Sequence, residues 1–207
     1  SAKYGNKAYE LYYGPGGRHV IEFVIDPVND TLSFGQAYTF SYNIPSVGSA
    51  WGITACMKDA NTMLVGNSDE VAELQLNSSS GTFAYNYLFT VPPNWYISWG
   101  SDMVYRPSDN SIFVVLNGGG SGGGSKVHQY SYSGTLLDDV FISPNPNSNM
   151  TYPNMMFCNG GKIFIHDGSN GVYEVGTNPL SLLPSTISYP QPGNAGDAAS
   201  SPECCDG

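Results

Sequence analysis

The side chains best suited to proton transfer, covalent attack or metal binding are few in this 207-residue chain: three histidines, seventeen carboxylates and four cysteines. His19, His128 and His166 stand at unrelated points of the pattern around them. A metal site needs two or three ligands close in space, commonly at i, i+4 on a helix; these read as strand-edge or loop histidines. Asp138-Asp139 suggests an acid–base pair. Neighbours on a strand point to opposite faces, so the two cannot address one bond, and a catalytic pair needs two environments that push its pKa values apart. Gly118 to Gly124, interrupted by Ser121, contains both G-x-G-x-x-G and G-x-S-x-G. Both motifs need a following helix, whereas this run joins two strands and reads as a flexible loop. Asp167-Gly168-Ser169-Asn170-Gly171 resembles part of a calcium loop, without its further acidic ligands, and reads as a tight turn. No metal and no cofactor is expected, and no catalytic set stands out.

The cysteines are Cys56 and Cys158, in strand-like runs, and the adjacent Cys204 and Cys205. Four cysteines allow three pairings. A Cys56–Cys158 bridge would close 102 residues, worth about 4–5 kcal/mol in the chain-entropy model; the alternative is two buried free thiols. Cys204-Cys205 lacks the spacer of a zinc knuckle. Aromatic residues are plentiful, with 15 Tyr, 9 Phe and 3 Trp. Trp51 and Trp99 read as packing anchors, and Trp95 and Tyr96 as exposed contacts able to stack on sugar rings or prolines. Asn29, Asn77 and Asn149 head N-x-Ser/Thr sequons, two of them in turns.

The formal charge is −10, which speaks against nucleic acid or an anionic membrane surface as the main partner. Charged residues are 12% of the chain, below the ~25% of an average soluble domain, which excludes a helical bundle or coiled coil. The longest aliphatic or aromatic run, Ile112 to Leu116, falls far short of the ~20 residues of a membrane helix. Lys, Arg and Glu are scarce beside Ser, Thr, Asn, Gly and Tyr, as in many extracellular, cell-surface or virion proteins. The opening Ser1-Ala2-Lys3-Tyr4 carries no signal-peptide features, so the sequence reads as a mature form, a segment of a longer chain, or a protein exported without such a signal.

The elements that must position these residues come from a repeat. Val-x-Glu/Gln-apolar occurs at Val20-Ile21-Glu22-Phe23, Val71-Ala72-Glu73-Leu74, Val127-His128-Gln129-Tyr130 and Val172-Tyr173-Glu174-Val175, at intervals of 51, 56 and 45 residues. Each copy alternates like a half-buried strand, with a strand before it and a turn and strand after it. Two of the turns carry Gly-Thr (Gly81-Thr82, Gly134-Thr135) and two carry proline (Asp26-Pro27, Asn178-Pro179).

One unit is thus four short antiparallel strands in about 50 residues, which resembles a β-propeller blade. The resemblance implies an all-β array of four blades over residues 1–190, with units near 1–45, 46–93, 94–144 and 145–190, and an irregular tail at 191–207. The first blade is expected to be incomplete, starting inside its first strand at about Tyr4. Such a blade has two apolar faces and dries both only by stacking on neighbours. Five-bladed glycosidases place carboxylates near the central axis. The Glu/Gln of the repeat recurs at one position, which marks it as structural. The function this reading favours is a non-enzymatic structural subunit of an extracellular filament or of a virion or phage appendage. It would be homo-oligomeric or held by such neighbours, without nucleic acid or a membrane span. The competing readings are a carbohydrate-binding module and a segment of a larger glycan-active propeller enzyme.

Overall fold

A computed structural model describes residues 2–14, 17–40, 54–97, 101–118, 124–142, 155–166, 171–185 and 202–205. Trp51, Trp99, Asn149, the centre of the glycine run, Asp167 to Asn170 and most of the tail lie outside these residues.

The chain is all-β and propeller-like. Its strands are β1 (Ala2–Tyr4), β2 (Lys7–Gly14), β3 (Gly17–Asp26), β4 (Thr31–Phe40), β5 (Thr54–Asp59), β6 (Thr62–Asn67), β7 (Glu70–Asn77), β8 (Thr82–Thr90), β9 (Trp95–Tyr96), β10 (Met103–Arg106), β11 (Ser111–Gly118), β12 (Ser125–Ser131), β13 (Leu136–Phe141), β14 (Met155–Asn159), β15 (Lys162–His166), β16 (Val172–Gly176) and β17 (Ser181–Pro184). They run as four antiparallel meanders, β1–β4, β5–β8, β10–β13 and β14–β17. The first meander does possess its first strand, shortened to three residues paired with β2. The first two meanders are not separate sheets. Thr39 and Phe40 pair in parallel with Thr82 and Phe83, merging them into eight strands.

The repeat holds one register position throughout. Glu22, Glu73, Gln129 and Glu174 face Tyr9, Leu64, Phe113 and Phe164 on the preceding strand. Val20, Val71, Val127 and Val172 lie two residues back, and all four are buried. Strand periodicity then sorts the core into three layers. Met63 and Val65 of β6 pack towards the first meander with Tyr9, Val20 and Tyr38. Leu64, between them, packs towards the third with Ile112, Val114 and Leu116. Phe113 and Val115 alternate with those and pack towards the fourth with Met156, Ile163 and Ile165. Ile112 to Leu116 is therefore buried on both faces, each side chain contributing about 1.5–3 kcal/mol.

Turn glycines seat one meander on the previous one. Gly134, at φ +89°, would drive a Cβ to 2.4 Å from Cβ of Phe89 in β8. Gly81, at φ +63°, lies against the carbonyl of Ala37 in β4. Both positions need the left-handed backbone that glycine adopts without a Cβ penalty.

Candidate functional site

The first strands β1, β5, β10 and β14 pack side by side as the inner edges of the meanders. Asp102 precedes β10, and its carbonyl accepts the Val115 amide at 2.9 Å, extending the β10–β11 ladder by one residue. Its buried carboxylate joins three meanders. Oδ1 accepts the Met103 amide at 2.8 Å and the Thr54 hydroxyl of β5 at 3.3 Å; Oδ2 accepts the Met156 amide of β14 at 2.7 Å. Beside it, Asn117 donates to Ser101 at 3.2 Å and accepts from Ser125 at 2.6 Å. Asn117 also pairs with Tyr96 of β9, so the buried carboxylate, a hydroxyl–amide cluster and an exposed tyrosine share one end of the third meander.

The segment leading there is fixed by Val91 and Ile97, whose amides donate to Asp69 and Ser68 at the β6–β7 turn. Tyr96 is 43% exposed. Trp95, expected as a free contact, is half-buried. Its ring lies 5.1 Å from that of His128 and 6.4 Å from that of Phe141, with Lys126 Nζ 5.3 Å from its centroid. Lys126 also pairs with Asp139 at 2.5 Å. His128 is buried, its Nδ1 3.1 Å from the Tyr130 hydroxyl and its Nε2 without a hydrogen-bond partner. Burial lowers its pKa to about 4, with the Lys126 charge adding to the effect and Asp139 opposing it.

Other sequence candidates fall elsewhere. Asp138 accepts the Leu180 amide at 2.7 Å on the fourth meander, while Asp139 turns to Lys126, so the two do lie on opposite faces. The repeat carboxylates make structural contacts. Glu22 takes Lys7 at 3.1 Å and the Tyr38 hydroxyl at 3.2 Å; Glu174 takes Lys162 at 2.9 Å; Glu73 accepts from Tyr132 of the next meander. The Cys56–Cys158 bridge does not form. Cys158 is bonded to Cys205, with Cα atoms 5.0 Å apart, leaving Cys56 buried and Cys204 exposed as free thiols. The pairing is decided by the return of the tail to β14, which strand patterning does not specify. Asn29 and Asn77 are exposed turn residues; the Asn29 amide donates to Asp26 at 2.8 Å and the Asn77 oxygen accepts from Ser79 at 2.7 Å. Among the described residues no three His, Cys, Asp or Glu side chains gather as a metal site, and no helix is long and apolar enough to cross a membrane.

Sequence reading passed over Asp102. Its one local signal is an acid just ahead of an apolar strand; the convergence of Thr54 and Met156 on it spans about 50 residues in each direction.

The chain matches no protein-family model and no curated protein. It is similar in structure to a protein from Lactobacillus plantarum at 14% identity and a TM-score of 0.45, covering 86% of this chain and 51% of that one. It is similar to a luciferin-regenerating enzyme at 12% identity and a TM-score of 0.40, covering 88% of this chain and 60% of that one. For an endo-1,5-α-L-arabinanase from Thermotoga petrophila the values are 13%, 0.40, 88% and 56%. The chain thus spans between about half and three fifths of these structures, and the likeness is one of fold. The expectation of a non-enzymatic filament or appendage subunit finds no support among them, two of the three being described as enzymes. A site at inner strand ends draws its residues from separate meanders, so the lack of a local motif carries no weight against activity.

Proposed function

We propose that this chain is a segment of a larger propeller enzyme acting on neutral glycans, with Asp102 as its reacting carboxylate. The observation that carries the reading is the convergence of Thr54, Met103 and Met156 on that buried side chain. A carboxylate so held serves as base, nucleophile or stabiliser of an oxocarbenium-like charge. The second carboxyl, acting as acid, comes from meanders beyond this segment. Tyr96 offers an exposed ring face for a sugar, held beside the buried Ser101–Asn117–Ser125 cluster.

The segment reading has support on the first meander. Its face turned away from the second carries the in-register row Ala8–Phe23–Phe34 and the pair Ile25–Leu32. Leu32 and Phe34 are each 67% exposed, the kind of surface that a further meander of the same build would dry. An oxidising, extracellular location accords with the Cys158–Cys205 disulfide.

The test is reducing-end release by the full gene product from a panel of neutral polysaccharides that includes 1,5-α-L-arabinan. Asp102→Asn should lower turnover by roughly 10²–10⁴-fold, and Tyr96→Ala should weaken retention on the same glycan. Full activity in Asp102→Asn, or no turnover on any glycan, overturns the proposal. Retention without turnover assigns the surface to glycan binding alone.

A further inference from the structure

The Pro202–Cys205 turn reaches every inner strand. It packs against β1, β5, β10 and β14, and also against β15 and the Pro107–Asp109 turn. Contact with four side-by-side strands and with the β10–β11 turn places the element across their inner edges at that end. Pro202 and Cys205 are buried and Cys204 is exposed. Cys205 joins the apolar layer of Val104, Met156 and Cys158. Two ties hold it: the Cys158–Cys205 disulfide and the Gly161 amide, which donates to the Cys204 carbonyl at 3.0 Å. Cys158 and Gly161 belong to the β14–β15 hairpin, Cys158 two residues, roughly 7 Å, along β14 from Met156, whose amide meets Asp102.

We propose that the Pro202–Cys205 turn is a disulfide-latched plug on the inner side of the strand array, released by thiol–disulfide exchange with a small-molecule thiol. A thiolate of that co-reactant attacks Cys205 Sγ, forms a mixed disulfide and expels Cys158 as a thiolate, which takes up a proton. A second molecule of thiol attacks the mixed disulfide, leaves as the oxidised co-reactant and frees Cys205. Two electrons pass from two small thiols to one protein disulfide. The strands remain layered, because of the three cores between meanders only the last contains Cys205. The inner strands open beside the β14–β15 and β10–β11 turns. The inference stands apart from the glycan reading, since it uses neither Asp102 nor a substrate.

Cys56 is the built-in reporter, buried on β5, one of the strands the plug touches. Native protein is incubated with dithiothreitol under non-denaturing conditions, and maleimide labelling of each cysteine is followed by peptide mass spectrometry beside far-ultraviolet circular dichroism. Before reduction only Cys204 should label quickly. After it Cys158 and Cys205 label, Cys56 labels about ten-fold faster through local opening, and the β-sheet signal persists. Cys158→Ser and Cys205→Ser should show the fast Cys56 rate without reductant, and Cys204→Ser should behave as wild type. An unchanged Cys56 rate after reduction shows that the plug stays seated without its latch, and loss of the β-sheet signal shows a structural staple. Either result overturns the proposal. If a variant fails to fold, the reduced wild-type protein still decides.

Discussion

Glu22 holds one side of a buried polar group whose other members are Lys7 and the Tyr9 and Tyr38 hydroxyls. Removing it leaves two buried phenols short of an acceptor, which costs about 1–3 kcal/mol per unsatisfied group. Glu22→Ala should therefore lower the urea midpoint clearly. Lys7→Ala should cost less than about 1 kcal/mol, because the Lys7 side chain is 44% exposed and its charge is screened by water. His128 supplies a pH test. Burial lowers its pKa from the ordinary 6.5 to about 4, so the unfolded chain binds the proton more readily. Its stabilising share is complete above pH 6.5 and is lost as pH falls through 4. Denaturation midpoints should decline over that window, and His128→Leu should flatten the decline.

At the scale of elements, the decisive feature is that middle strands are apolar on both faces while their turns are shaped to touch the previous meander. Gly134→Ala forces a Cβ against Phe89 in a left-handed backbone. It should cost several kcal/mol, the sum of roughly 1–2 for the backbone and 1–3 for overpacking. Gly160→Ala, at φ +57° with nothing within 4 Å of the added atom, should cost only the backbone part of about 1–2 kcal/mol. The difference in thermal midpoint between the two measures the meander-to-meander contact. Much of this level was legible beforehand. The Val-x-Glu/Gln repeat placed the third strand of each meander, and the Gly-Thr and Pro turns followed it. The partners of those turns were not legible, because Phe89 and Gly134 are 45 residues apart and nothing local couples them. For the same reason Trp95 read as exposed: its cover comes from β12 and β13, across the layer.

Across the whole molecule, stacked layers predict stability that is a sum of neighbour terms rather than one indivisible core. Leu74, fully buried between the first two meanders, and Ile165, fully buried between the last two, should each cost about 2–5 kcal/mol when cut to alanine. Hydrogen exchange should separate them: Leu74→Ala should loosen β1–β8 first, and Ile165→Ala β14–β17. Alkaline pH should loosen the layer between the first two meanders, where Tyr38 and Tyr85 lie. Burial, then the Glu22 charge, raises Tyr38 from 10.0 to about 12; burial, then Glu70, does the same for Tyr85. Folding thus holds protons that the unfolded chain releases near pH 10. Stability is complete below that value and falls as pH rises to 12, which a pH-jump followed by tyrosinate absorbance would register.

Strand order, turn positions and the need for two covered faces were written in the amino-acid order, because alternation and turn chemistry act over two to six neighbouring residues. The choice of Cys205 for Cys158, the meeting of Thr54 and Met156 on Asp102 and the seating of the tail against four inner strands were settled only in three dimensions. The disulfide and the Asp102 contacts join residues 47 to 54 positions apart, and the tail meets β1 about 200 positions back. Their distances are set by how one layer stacks on the next, a quantity that no short stretch of sequence contains.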